Sequence, residues 1–384
     1  MASSAVKTNP QLWREKLETP ILSPPLRSGW INGNRLASLA NQNIFFAAEG
    51  HSVIEIKAVW SSKRQRLESS ASEALDASED FIAPNGIGLS VHSRVIPELS
   101  TLRSDIVTVA AQPGRLACSD SFGNVVVGLL ESSSDSSQVK IQSSYALRPS
   151  RFEYGEPGYS GIALDKRTGS VSMIACARYF FKDVSAYDRD ISVRTFHIGA
   201  GPTAISFVDD QRLAIAEGYG FGLWDLRMAE AGGCTVRKPV GPGRIYSMHS
   251  LDHLLAVGGT DRVVRVFDVR MHRILGQWSN SLKYACRWVS LHSDQRTCFV
   301  AGVDNEIAAG TWGEAHRNSR KKTGAAAELR DQLKAPQMVS GALARSPRRL
   351  YGFRGDSPWV GVSLSMETLA AMSSNGAFYV LKIS

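Results

Sequence analysis

The chain has 384 residues, 43% of them hydrophobic, with a mean hydropathy of -0.13 and a net charge of +8. That composition suits a chain that buries a large core, and no stretch reaches the roughly 18–20 apolar residues of a membrane helix. Apolar residues fall in short runs broken by Gly, Asp, Asn and Ser, which is the pattern of strands and turns and not of helices with a 3.6-residue period.

Residues 1–10 lack the apolar segment of a secretory signal and belong to an N-terminal arm of residues 1–27. This arm is expected to supply a closing strand, for a reason that appears at the other end of the chain. Within it, residues 9–14 (NPQLWR) are similar to the last turn of an F-box.

From residue 28 a unit of about forty residues recurs. Residues 34–60 contain the runs NRLASLA, IFFAAEG and SVIEIKAVW. Residues 61–80 (SSKRQRLESSASEALDASED) are rich in Ser and charge and read as a disordered insertion. Residues 105–130 carry DIVTVAA, RLACSDSFG and NVVVGLL, followed by a second polar insertion, ESSSDSSQ, at 131–138. Residues 158–196 carry YSGIAL, SVSMIACARYFF and DISVRTF.

The next two units match each other clearly. Residues 201–227 read GPTAISFVDDQRLAIAEGYGFGLWDLR, and residues 243–270 read GRIYSMHSLDHLLAVGGTDRVVRVFDVR. Each has an apolar run, a polar turn, a second run of small and apolar residues, a hairpin, and a third run ending aromatic-Asp-apolar-Arg. Trp224-Asp225 and Phe267-Asp268 resemble the WD dipeptide of WD40-repeat proteins, and Asp261 stands where that family keeps a structural Asp. The family's Gly-His pair is absent from both units. Residues 284–312 (CRWVSLH, RTCFVAGVD, EIAAGTW) and 359–383 (WVGVSLS, TLAAMSS, AFYVLKI) complete seven copies.

The resemblance implies an all-β fold, a single seven-bladed WD40-type β-propeller over residues 28–384. A lone blade cannot cover its two faces, so blades stack around an axis and bury continuously apolar strands, as in LLAVGG and CFVAG. The chain ends on a third strand, so the N-terminal segment before Trp30 is expected to close the last blade.

Between the sixth and seventh copies, residues 313–350 hold nine Lys/Arg against three acids, which is six of the eight net positive charges. The basicity therefore belongs to one insertion, with a short helix predicted at 325–334 (AAAELRDQLK). Arg320, Lys321, Lys322, Arg348 and Arg349 are its candidate contacts with nucleic acid or chromatin, though few aromatics are interleaved as such an interface needs.

Catalytic chemistry finds no motif. The run GYGFG (218–222) leads into a strand-like segment, not a helix, so it reads as a hairpin and not a phosphate loop. His249 and His253 lie four apart without a helix to align them. Arg354-Gly355-Asp356 reads as a turn into the last blade. No catalytic, cofactor-binding or metal-ligating residue is assigned. The five cysteines are scattered and odd in number, with no CxxC, and read as free thiols of an intracellular protein in nucleus or cytoplasm.

The expected role is a non-enzymatic scaffold or adaptor that binds other proteins. The paired endings sharpen it. Asp225 and Arg227, like Asp268 and Arg270, are two apart, and two residues of one strand share a face. The plain reading is a local ion pair. The sharper one is that WDLR and FDVR resemble the WDxR box of substrate receptors of cullin–RING ubiquitin ligases, which implies that Arg227 and Arg270 contact the ligase adaptor.

Overall fold

The structure, a computed structural model, describes residues 11–16, 33–39, 43–62, 87–131, 139–149, 158–166, 173–228, 233–312, 349–365 and 368–383. Most of the 61–80 insertion, residues 132–138 and the basic segment 313–348 with its predicted helix lie outside the described residues.

The first strand is β1 (Gln11–Lys16), and the strands of blade 1 come after it. Blade 1 contains β2 (Leu36–Ser38), β3 (Ile44–Glu49), β4 (Ser52–Ser62) and β5 (Ile87–Ile96). Blade 2 contains β6 (Ile106–Gln112), β7 (Arg115–Asp120), β8 (Val125–Leu130) and β9 (Ile141–Leu147). Blade 3 is built from β10 (Ser160–Leu164), β11 (Met173–Arg178), β12 (Asp183–Asp188) and β13 (Ile191–His197). Blade 4 has β14 (Pro202–Phe207), β15 (Arg212–Glu217), β16 (Gly220–Asp225) and β17 (Cys234–Pro239). Blade 5 has β18 (Ile245–Leu251), β19 (Leu254–Gly259), β20 (Val264–Asp268) and β21 (Arg273–Trp278). Blade 6 has β22 (Cys286–Leu291), β23 (Thr297–Gly302), β24 (Glu306–Thr311) and β25 (Arg349–Arg354). Blade 7 has β26 (Trp359–Leu364), β27 (Thr368–Ser373) and β28 (Ala377–Lys382).

These strands form seven antiparallel four-stranded sheets, and the seventh has the order β1-β28-β27-β26. The N-terminal arm thus closes the last blade as expected, with Gln11 opposite Lys382 and Lys16 opposite Ala377. Residues 11–14, in the segment similar to an F-box turn, are part of this strand.

Each interface between neighbouring blades has its own apolar core, seven in all. The second strands lie between two such cores, which is why RLACSD, LLAVGG and TLAAMS are buried at every position. The outermost strands cover only one neighbour and alternate, as in CTVRKP of β17.

Two boundaries move. Ser61 and Ser62 belong to β4, and Arg349 belongs to β25. Extended pairing against Gly88 and Ile87 carries β4 past the blade edge, and pairing with Gly310 draws Arg349 into the sheet. In the segment GYGFG, Gly218 and Tyr219 form the hairpin turn between β15 and β16, and the last three residues open β16. Gly355 and Asp356 form the turn expected of them, the Gly355 N–H donating to the Asn305 carbonyl (2.8 Å) and the Asp356 N–H to the Tyr379 hydroxyl (3.0 Å).

Strands within each blade run alternately up and down, which fixes what shares an end of the molecule. The starts of the innermost strands and the hairpins between second and third strands lie at one end. The ends of the third strands, with Asp225 and Asp268, lie at the other.

Candidate partner-binding site

β16 stops at Asp225 and β20 at Asp268, so Arg227 and Arg270 sit in the turns beyond the strands. The alternation of a strand therefore does not align them with their aspartates; a side-chain turn does. The Arg227 backbone N–H donates to Asp225 Oδ1 (2.9 Å), pulling the chain round so that its Nε reaches the same oxygen (3.0 Å) and its Nη2 reaches Oδ2 (2.7 Å). Blade 5 repeats the arrangement: the Arg270 N–H, Nε and Nη2 donate to Asp268 at 2.9, 3.3 and 3.0 Å. Short polar side chains that bond the backbone two residues on are the usual makers of such turns.

Both aspartates are buried beneath their arginines, whose side chains are 68% and 62% exposed. Hydrogen bonds from Arg227 hold the Asp225 carboxyl down at about 2, and Arg270 lowers Asp268 in the same way. The pairs are fixed in charge across the neutral range. A bidentate fork uses Nε and Nη2 and leaves Nη1 of each guanidinium to point outward.

The turn after Asp225 has a second support that the sequence did not disclose. Arg194, buried in the outermost strand of blade 3, lies over the Phe196 ring at 4.5 Å. Its Nη1 donates to the carbonyls of Asp225 (3.0 Å), Leu226 (3.3 Å) and Met228. In blade 5 Asp268 does more of the work, since its Oδ1 also accepts the Met271 N–H (3.3 Å). No local pattern marks Arg194, because its acceptors are 31 or more residues away.

The aromatic residues of the two boxes are packing elements. Trp224 packs on Phe196 at 5.0 Å in the core between blades 3 and 4, and Phe267 meets Phe221 edge-on at 5.1 Å between blades 4 and 5. Asp261 turns the hairpin between β19 and β20: its Oδ1 accepts the Val263 N–H (3.2 Å), and its Oδ2 pairs with Arg265 Nη1 (2.7 Å). The charge partner here is an arginine of its own blade. Asp120 does the same in blade 2, accepting the N–H groups of Phe122 (3.0 Å) and Asn124 (2.9 Å). Asp120 closes β7, with the Phe122-Gly123-Asn124 turn after it as the local signal.

Of the basic candidates, Arg320, Lys321, Lys322 and Arg348 lie outside the described residues. Arg349 faces a different task from nucleic acid, pairing through Nη2 with the buried Glu306 of the adjacent strand (3.0 Å). All five cysteines are free thiols, four of them buried. Among the described residues no group of three His, Cys, Asp or Glu is placed to hold a metal ion.

No family model matches the chain. No curated protein matches it in sequence. Its fold does match solved structures: a chain of the "Crystal Structure of Mitotic Checkpoint Complex" superposes with a TM-score of 0.58 at 12% identity, over 100% of this chain and 99% of that one. At that identity the likeness concerns the fold alone, and 1452 solved chains share it, so it names no partner. Seven four-stranded blades, a closing strand from the N-terminus and two aromatic-Asp repeat endings together give this chain a seven-bladed β-propeller fold, an arrangement consistent with that of WD40-repeat proteins.

Proposed function

We propose that the chain is a non-catalytic scaffold that docks a partner protein through Arg227 and Arg270, and that this partner is the adaptor of a cullin–RING ubiquitin ligase, which makes the chain a substrate receptor. The observation that carries this reading is the repetition: adjacent blades present the same Asp-locked, exposed arginine at one end of the propeller. Holding a guanidinium in place beforehand lowers the entropy lost when a partner orders it. Met228 and Met271, the residues that follow the two arginines, are exposed as well, and Arg with Met is a composition enriched at interface centres. Free thiols support a reducing compartment, nucleus or cytoplasm, as the place where this happens.

Affinity purification of the tagged chain from cells tests it. Ligase adaptor should be recovered with the native chain and lost with the double variant Arg227→Ala, Arg270→Ala, while thermal melting shows the variant folded. Recovery that is undiminished, or no adaptor from the native chain, sinks the proposal.

A further inference from the structure

A second, differently built site lies at the opposite end of the propeller, where the innermost strands begin. Arg287 is the second residue of β22, and the strand register slips there, between Cys286 and Trp288, so one residue is left out of the ladder. Its side chain crosses the mouth of the axial channel. Nη1 donates to the Trp359 carbonyl of blade 7 (2.5 Å), and Nη2 donates to the Gly33 carbonyl ahead of blade 1 (3.3 Å). These residues line a small cleft, open to solvent, with Asn34 and Val360 beside them.

Arg35 stands next to that wall. Its backbone N–H is bonded to the Val360 carbonyl (3.3 Å), and its side chain is only 4% exposed. Its Nη1 is enclosed and has no hydrogen-bond partner. The acid it senses is Asp105, half-exposed and itself 3.8 Å from His51, and no ion pair within 4.0 Å joins Asp105 to Arg35 among the described residues. Burial of an uncompensated charge is costly, and a guanidinium does not escape by losing its proton. Burial and the repulsion of Arg35 pull Arg287 down to about 10, which still leaves it a cation at neutral pH. One cation, Arg287, thus lines the channel mouth bonded only to backbone carbonyls, and a second, Arg35, lies enclosed behind that wall with one nitrogen unbonded.

We propose that the channel mouth between blades 6, 7 and 1 is an oxyanion site, in which Arg287 binds a carboxylate or phosphate group and the enclosed charge of Arg35 behind it strengthens the pull. The planar fork of Arg287 suits either chemistry. Exposed Tyr219, Arg244, Arg262, Lys283 and Tyr284 lie at the same end of the propeller on blades 4 to 6, a surface on which an anion carried by an acidic segment also finds aromatic and basic neighbours. The site is independent of the adaptor-docking reading and sits at the other end of the molecule.

Thermal melting and titration calorimetry of the full chain test it, with chloride as the reference at matched ionic strength. Inorganic phosphate is expected to raise the melting temperature of the native chain, and Arg287→Gln should weaken phosphate binding about tenfold or more. Arg35→Met should melt higher than the native chain in chloride, because an unpaired buried charge is gone, and should respond less to phosphate. That variant keeps the test decisive if Arg287→Gln does not fold. Arg270→Gln, at the far end, should respond as the native chain does, whatever becomes of adaptor binding. A hexaglutamate peptide distinguishes the sources. Tighter binding than phosphate, lost in Arg287→Gln, marks an acidic protein segment as the ligand, and the reverse order marks a free phosphate compound. No response to either probe, or the same response in the native chain and both variants, overturns the proposal.

Discussion

His249 shows how a single residue can carry an interface. Its Nδ1 accepts the Leu291 N–H (3.1 Å) across the join of blades 5 and 6, and two residues earlier Ser247 Oγ accepts the Val289 N–H (3.0 Å). An accepting ring nitrogen requires the neutral imidazole. Burial, helped by the charge of Lys166, depresses His249 to about 4, whereas in the unfolded chain it titrates near 6.5. Between those values the unfolded chain binds the extra proton, so stability falls as pH drops from about 6.5 towards 4 and is unaffected above that window. The loss approaches about 3 kcal/mol in full. His249→Gln should therefore lose less melting temperature between pH 7 and pH 4.5 than the native chain, and parallel curves would show that the interface does not depend on the neutral ring. In the sequence His249 stood out only as one of two histidines four apart. Its real partner is 42 positions away, a relation no local spacing encodes. The Asp225–Arg227 and Asp268–Arg270 pairs were legible because both members lie within one turn.

At the scale of elements, blades are locked by side chains that reach into the next hairpin. Arg178, at the end of β11, pairs with Asp183 at the start of β12, both buried, and lies over the Phe181 ring at 4.1 Å. Its aliphatic stem packs on the blade 2 hairpin at Gly123, where a Cβ would fall 2.5 Å from Arg178 Cδ. Gly123 also has a φ of +85°, a conformation that L side chains avoid. Gly114 has nearly the same φ, +83°, but open space around it. Gly123→Ala should thus cost about 2–3 kcal/mol in urea unfolding, against about 1 kcal/mol for Gly114→Ala, since only the former must also displace a pinned arginine. Equal losses would mean that Arg178 yields freely and locks nothing. The sequence shows second strands well, because LLAVGG or TLAAMS sits between two cores and must be small and apolar throughout. It shows outermost strands poorly. Such a strand buries one face, and CTVRKP or RLYGFR has no more apolar character than a loop. For that reason the repeats read as three-stranded units, and Arg349 looked like part of a basic insertion.

The whole molecule is a ring closed twice over. At the axis, Asn34 Nδ2 donates to the Val362 carbonyl (2.8 Å) and its Oδ1 accepts the Val362 N–H (2.8 Å), joining the first blade to the seventh. At the rim, β1 pairs along the full length of β28. The rim closure was legible because the last repeat ends one strand short, whereas the Asn34 contact spans 328 residues and was not. The two closures predict different behaviour when the arm is removed. Deleting residues 1–16 leaves the axial contact and all seven apolar cores in place, so the propeller should still fold. It exposes the unpaired edge of β28 and forfeits the ladder of β1, a loss of about 3–5 kcal/mol at roughly 0.5–1.5 kcal/mol per hydrogen bond. The truncated chain should melt at lower temperature and self-associate on gel filtration through the open edge. A peptide of residues 8–19 added in trans should reverse both changes, because it restores only the missing strand. An unchanged melting temperature would place the closure at the axis alone, and a loss that the peptide does not reverse would show that the arm stabilises the ring by contacts other than the strand.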